Sequence, residues 1–113
     1  MPAQRPPKLS DLEIDVWLGS HPDWARAPAP EGEAALVRTF RFEDFAAALG
    51  FVVRVGCAAE RHDHHPDVEL GWGRARMVWT THDAGGITAL DLKLAETCDV
   101  LASGTGWKTG EGS

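Results

Sequence analysis

The chain has 113 residues, 43% of them apolar, with 17 acidic against 11 basic side chains and a formal net charge of −6. A length of this order builds one domain around one modest core, and the acidic balance argues against a protein that grips phosphate backbones. Two cysteines, Cys57 and Cys98, are too few and too far apart for a disulfide framework or a thiolate metal cluster. They read as small buried hydrophobes of a reducing compartment.

Residues 1–9 are proline-rich and are expected to form a flexible segment ahead of a domain spanning 10–103. They lack the apolar stretch of a signal peptide. No apolar run reaches the ~18–20 residues of a membrane span, so the expected location is cytoplasmic, with neither a membrane nor a nucleic acid as partner. Ser10 and Glu13 have capping-box spacing, which predicts a short first helix or helical turn with Leu12, Ile14, Val16 and Leu18 as its apolar positions. A turn over 20–24 and a Pro/Gly loop over 28–32 lead to a strand at 34–41.

From 42 to 61 the periodicity turns helical. Phe42, Phe45, Leu49, Val53 and Cys57 form one stripe, and Phe51, Val55 and Ala58 lie on another side. A helix apolar nearly all round is buried on more than one side; in so small a domain the second side is expected to meet another subunit. Strands are predicted at about 68–72 and 74–82, joined through Gly71-Trp72-Gly73. In the second, Ala75, Met77, Trp79 and Thr81 alternate with Arg74, Arg76, Val78 and Thr80. A loop at 83–86 precedes a last helix from Thr88 with Leu90, Leu94, Cys98 and Leu101 inward. Leu92 and Val100 lie off that stripe, a second hint of an oligomer contact. Residues 104–113 form a Gly-rich tail expected to be flexible. The order is helix, strand, helix, strand, strand, helix, with room for one more strand around 24–27. An antiparallel sheet covered by helices on one face is the simplest packing, an α+β domain.

Four of the five histidines lie between 62 and 82. A hairpin centred on Gly73 would set His64 opposite His82 and His65 opposite Thr81, and Pro66, with its fixed φ, would stiffen the turn that presents the pair. Imidazole titrates near neutrality. Clustered imidazoles repel one another's charge, so one is expected protonated and another neutral, an acid and a base in one pocket. Competing readings are a solvated or structural role for these side chains and a metal site using His62, Asp63, His64 and His82. Asp91 also has the spacing of a helix capping box with Thr88. Trp72 and Trp79 have the alternatives of ring stacking or core, and His21 and His62 read as surface residues.

Glu60, three residues, His64-His65-Pro66, five residues, Trp72, nine residues, His82, eight residues, Asp91 resembles the signature of pterin-4a-carbinolamine dehydratases. The flanking Phe40-Arg41-Phe42-Glu43-Asp44-Phe45, Gly50-Phe51 and Thr80-Thr81-His82-Asp83-Ala84-Gly85-Gly86 are similar too, and the likeness runs over 10–102. The resemblance implies a four-stranded antiparallel sheet with helices on one face and a homo-oligomer, dimer or dimer of dimers. It implies dehydration of 4a-hydroxytetrahydrobiopterin to the quinonoid dihydropterin, with no metal or organic cofactor, in support of tetrahydropterin recycling. It points to His64, His65 and His82 as catalytic, and to Glu60, Asp63, Pro66, Thr81, Asp83 and Asp91 as substrate-binding. The hairpin at 70–76 and the long loop at 27–33 depart from the family pattern. An assembly or transcriptional-coactivator module on the same fold, without catalysis, is the alternative from another class.

Overall fold

The computed structural model describes residues 5–103; the first four residues and 104–113, with the predicted tail and Trp107, lie outside the described part. Its sheet follows from alternation along two central strands. In β2 (Ala34–Arg41) Leu36 and Phe40 are fully buried, and in β4 (Arg74–Trp79) so are Ala75, Met77 and Trp79. The antiparallel register pairs Leu36 with Trp79 and Phe40 with Ala75, which places these side chains on one face. The short extra strand is present as β1 (Ala25–Pro28) on the outer side of β2, and β3 (Asp67–Gly71) flanks β4. The four strands run in the order β1-β2-β4-β3, all antiparallel. On the opposite face Glu69 and Arg76 sit directly across from each other and form a 2.9 Å ion pair. This is the α+β fold expected, one sheet with helices over its apolar face.

Helix α1 (Asp11–Ser20) starts at the expected capping box, with Ser10 Oγ accepting the Glu13 N–H at 3.1 Å and Glu13 Oε1 accepting the Ser10 N–H at 2.9 Å. Of its four apolar positions Ile14 is buried, beside Trp17, whereas Leu12 and Val16 are exposed. The indole of Trp17 explains the rotation, since its N–H reaches Glu96 at 2.8 Å while its rings fill the core. Helix α2 (Phe45–Arg61) begins three residues later than the periodicity suggests. The Asp44 carboxylate takes the Ala47 N–H at 2.8 Å, and the Phe42 N–H is committed to Gly73 O at 2.8 Å. Phe51, Val55, Ala58 and Ala59 are the buried side of α2; Phe45, Leu49 and Val53 are exposed. Cys57 shares that exposed stripe, so only Cys98 is the buried cysteine foreseen, its thiol pushed up to about 12 by burial. Helix α3 (Ala89–Ser103) buries Leu94 and Cys98 and leaves Val100 exposed, as the stripe indicates.

The β3–β4 hairpin is one residue off its predicted register. Gly71 pairs with Arg74, so the loop is Trp72-Gly73 alone and is not centred on Gly73. Gly73 takes φ +69, a conformation that suits glycine. A one-residue slip exchanges the two faces of a strand; extended past the strands, this register faces His64 toward Thr81 rather than His82. Both strands end short of that level. β4 stops at Trp79, and His82 opens a 3-10 turn (His82–Ala84). Residues 8 and 9, expected to be loose, pair with the other end of this turn. Lys8 bridges Thr88, and the Leu9 N–H donates to Ile87 O at 2.8 Å.

Candidate active site

Helix α2 ends in a cap that aims the histidine pair. Asp63 adopts φ +50, a left-handed conformation that Asp tolerates better than most residues. Its N–H donates to Glu60 O at 3.1 Å, and the His64 N–H reaches back to Ala59 O at 3.2 Å. Those two bonds are the Schellman pattern, in which one left-handed residue turns the chain out of a helix. His64 and His65 follow at once, and Pro66 carries the chain into β3.

His64 is buried, 6% exposed, with its ring stacked beside Trp79 at a centroid distance of 5.8 Å. Its Nε2 lies 2.6 Å from Asp91 Oδ1. Asp91 is wholly buried in the first turn of α3. Its other oxygen accepts the Thr88 backbone N–H and the Thr81 hydroxyl, each at 2.8 Å. The capping reading of Asp91 and a role toward His64 therefore coexist, one oxygen to each. A carboxylate only accepts, so Oδ1 selects the tautomer of neutral His64 with its proton on Nε2 and a lone pair on Nδ1.

His65 is half exposed, and its Nε2 lies 2.7 Å from Glu60 Oε1 across the end of α2. His82 stands on the far wall. Its loop is closed by the Thr81 N–H to Gly86 O at 2.9 Å and the Gly86 N–H to Thr81 O at 3.2 Å. Its Nδ1 is hydrogen-bonded to the Glu33 carboxylate and lies 3.2 Å from Glu31 Oε1. The hydrogen bond to Glu33 raises the His82 pKa above the ordinary imidazole value, against the opposing effect of partial burial.

A cavity of about 350 Å³ lies between these walls. Seven of the nine residues singled out from the sequence line it: Asp63, His64, His65, Pro66, Thr81, His82 and Asp83. The remaining two stand behind histidines, Glu60 on His65 and Asp91 on His64. Arg5, Asp67 and Thr80 also line it and were not foreseen. Arg5 comes from the proline-rich segment, where no periodicity marks it, and binds the Asp63 backbone oxygen. Glu31 and Glu33 are equally invisible to the sequence, because they sit in a loop whose proline, glycine and length mark a turn but no partner for its side chains.

The cavity pairs one imidazole backed by a wholly buried carboxylate, Asp91, with a second backed by a largely buried one, Glu33. That set can remove a proton at one atom and deliver one at another. The metal ligand set weighed from sequence does not assemble among the described residues, and His62 turns its Nδ1 to Ala58 O at 3.0 Å. Glu31, Glu33 and His82 do gather, each with a side-chain oxygen or nitrogen within 4.8 Å of the others, and there the His82 Nδ1 is taken up by its hydrogen bond to Glu33. His21, expected on the surface, stacks on Trp17 at 3.8 Å and takes part in the α1–α3 packing through Glu96 at 3.1 Å. Trp79 is core and Trp72 is exposed at the hairpin tip. No helix among the described residues is long and apolar enough to cross a membrane.

A family model described as pterin 4 alpha carbinolamine dehydratase matches residues 7–101. A relative from Rhodopseudomonas palustris is 43% identical over 96 residues, covering 85% of this chain and 92% of its own. One from Chloroflexus aggregans is 44% identical over 94 residues, covering 83% and 96%. Both carry the name "putative pterin-4-alpha-carbinolamine dehydratase". Among solved structures, a transcriptional coactivator/pterin dehydratase from Brucella melitensis superposes with a TM-score of 0.76 at 32% identity, over 84% of this chain and 98% of that one. A pterin dehydratase-like protein described as a RuBisCO assembly factor of the alpha-carboxysome shares the fold, with a TM-score of 0.57 at 20% identity over 71% of this chain and 89% of that one.

Proposed function

Since the chain belongs to the pterin 4 alpha carbinolamine dehydratase family, we propose that it dehydrates 4a-hydroxytetrahydrobiopterin to quinonoid dihydrobiopterin and water, in support of tetrahydropterin recycling. The observation that carries the reading is the convergence of His64, His65 and His82 on one cavity. In the elimination the N5 lone pair forms the C4a=N5 bond as the C4a–O bond breaks. The hydroxyl leaves as water with a proton from an acid, and the N5 proton passes to a base. Electron pairs and protons are redistributed with no net change of oxidation state, so the step needs neither oxidant nor reductant. His64 and His82 carry the two transfers, and His65 positions the pterin with Asp63, Thr81 and Asp83. Glu60 and Asp91 act through the histidines they bind. The protein works as a homo-oligomer in the cytoplasm.

A binding role without catalysis is the second reading, because the Brucella relative's name joins a transcriptional coactivator to a pterin dehydratase and an apolar stripe lies exposed on α2. Stopped-flow decay of a 4a-hydroxytetrahydropterin separates the two. Catalysis predicts acceleration by the wild-type chain and a fall of roughly 10²–10⁴ in His64→Ala and in His82→Ala, with unchanged circular dichroism. Unaccelerated decay with the wild-type protein would favour the binding module; wild-type rates in both variants would remove the histidine mechanism.

A further inference from the structure

His82 is half exposed at the tip of a tight turn and has no support from the helices that hold the other two histidines. Its support comes from the β1–β2 connection. The Ala29 N–H donates to Glu33 O at 2.8 Å and the Gly32 N–H to Ala29 O at 2.8 Å, closing a small turn in which Gly32 takes φ +102. That turn fixes the backbone of Glu33 at the edge of β2. The Glu33 side chain is only 15% exposed and reaches Nδ1 of His82, forty-nine residues away in sequence. A hydrogen bond from its own backbone N–H, aided by His82, keeps the Glu33 carboxyl below its ordinary pKa in spite of burial. The other charges around His82 point the same way: Glu31 at 3.2 Å, and Asp67 at the start of β3. Asp83 follows His82 on its turn and lines the same cavity. The cation on the opposite wall, Arg5, is committed to Asp63.

An imidazolium donates through both nitrogens. With Nδ1–H on Glu33, the second donor, Nε2–H, is left for the cavity. We infer that Glu33 is a positioning residue that holds His82 as an imidazolium, its Nδ1–H on the Glu33 carboxylate and its Nε2–H presented to the cavity. His82 is then the acid that protonates the leaving hydroxyl. His64, whose proton on Nε2 faces Asp91, is the base that receives the N5 proton on Nδ1. One turnover leaves His82 neutral and His64 protonated, and exchange with water through the open cavity resets both. The catalytic half of this assignment rests on the dehydratase reading; the charge state of His82 does not.

The test uses the full chain, its Glu33→Gln variant and the conservative Glu33→Asp. Two-dimensional ¹H–¹⁵N spectra that follow the His82 ring through a pH titration report the charge directly and need no substrate. Wild-type His82 is expected to titrate above ~6.5, the free imidazole value, Glu33→Gln to bring it down toward that value, and Glu33→Asp to recover part of the difference. In stopped-flow dehydration an acid is lost as pH rises through its pKa. The alkaline limb of kcat should therefore move to lower pH in Glu33→Gln, by up to about tenfold in rate for each unit of displacement, with KM unchanged. A His82 titration identical in all three proteins would overturn the positioning role. A titration that moves while the kcat profile stays still would remove His82 as the acid. Absence of dehydration by the wild-type chain would instead defeat the dehydratase reading, and the ring titration would still decide what Glu33 does.

Discussion

Asp91 shows how one side chain joins the start of a helix to a histidine of the cavity. Its Oδ2 accepts the N–H of Thr88, just before α3, and the Thr81 hydroxyl, and its Oδ1 accepts the Nε2–H of His64. Asn in its place would cap the helix but offer only one accepting oxygen. Either Thr88 and Thr81 or His64 would lose its acceptor, and an amide N–H would oppose an imidazole N–H. Asp91→Asn is expected to lower kcat by roughly 10²-fold, in the manner of outer groups that orient a catalytic histidine. It should also destabilise the fold by about 1–3 kcal/mol through the unpaired buried donor. Stopped-flow rates and urea unfolding measure the two separately; full activity would mean that the tautomer of His64 does not matter. The histidines themselves were legible from spacing, because a pair before a strand and a third after the hairpin must come back to one end of the sheet. Their carboxylates were not all legible. Asp91 was visible as a cap, whereas Glu33 belongs to a loop and meets His82 only in three dimensions.

The elements were read by periodicity, which works where one face alone is buried and fails where a residue has another commitment. Alternation and the preceding loop put β2 at about 34–41, in agreement with its observed extent. Periodicity alone starts α2 at Phe42, which continues the stripe, but the Phe42 N–H serves Gly73 and Asp44 makes the better cap. The sequence reading centres the hairpin on Gly73, a glycine able to turn the chain. Cross-strand pairing uses Gly71 in the ladder and leaves two residues for the loop. Gly73 is the residue that fixes this choice: a Cβ there would sit 3.1 Å from Phe42 O, and its φ is +69. Gly73→Ala should therefore lower stability by about 1–2 kcal/mol, seen as a lower denaturant midpoint with unchanged slope. An equal midpoint would show that the loop can adopt another turn. Because the hairpin sets the level at which β4 ends, the same variant tests how far the placing of His82 depends on this register.

At the scale of the molecule one sheet with helices over its apolar face accounts for the buried core, but an apolar stripe remains on α2. Phe45, Leu49 and Val53 are 43–56% exposed and recur every four residues along α2 with Cys57. Side chains at that spacing form one ridge, and two copies of such a ridge can interlock across a two-fold axis. Burying each large apolar side chain contributes up to roughly 1.5–3 kcal/mol, so a symmetric pair of stripes supplies a substantial driving force for self-association. A second copy of this chain is the expected partner, since the stripe is self-complementary and carries no charge of its own. Light scattering after gel filtration should give a dimer or larger species for the wild type. Val53→Glu, which puts a like charge on both ridges and touches no wall of the cavity, should give a smaller one. Cys57 supplies an independent reading: on the covered stripe its thiol should react slowly with a disulfide reagent in the wild type and quickly in Val53→Glu. A monomeric wild type with a freely reacting Cys57 would mean that the stripe is not a contact between copies.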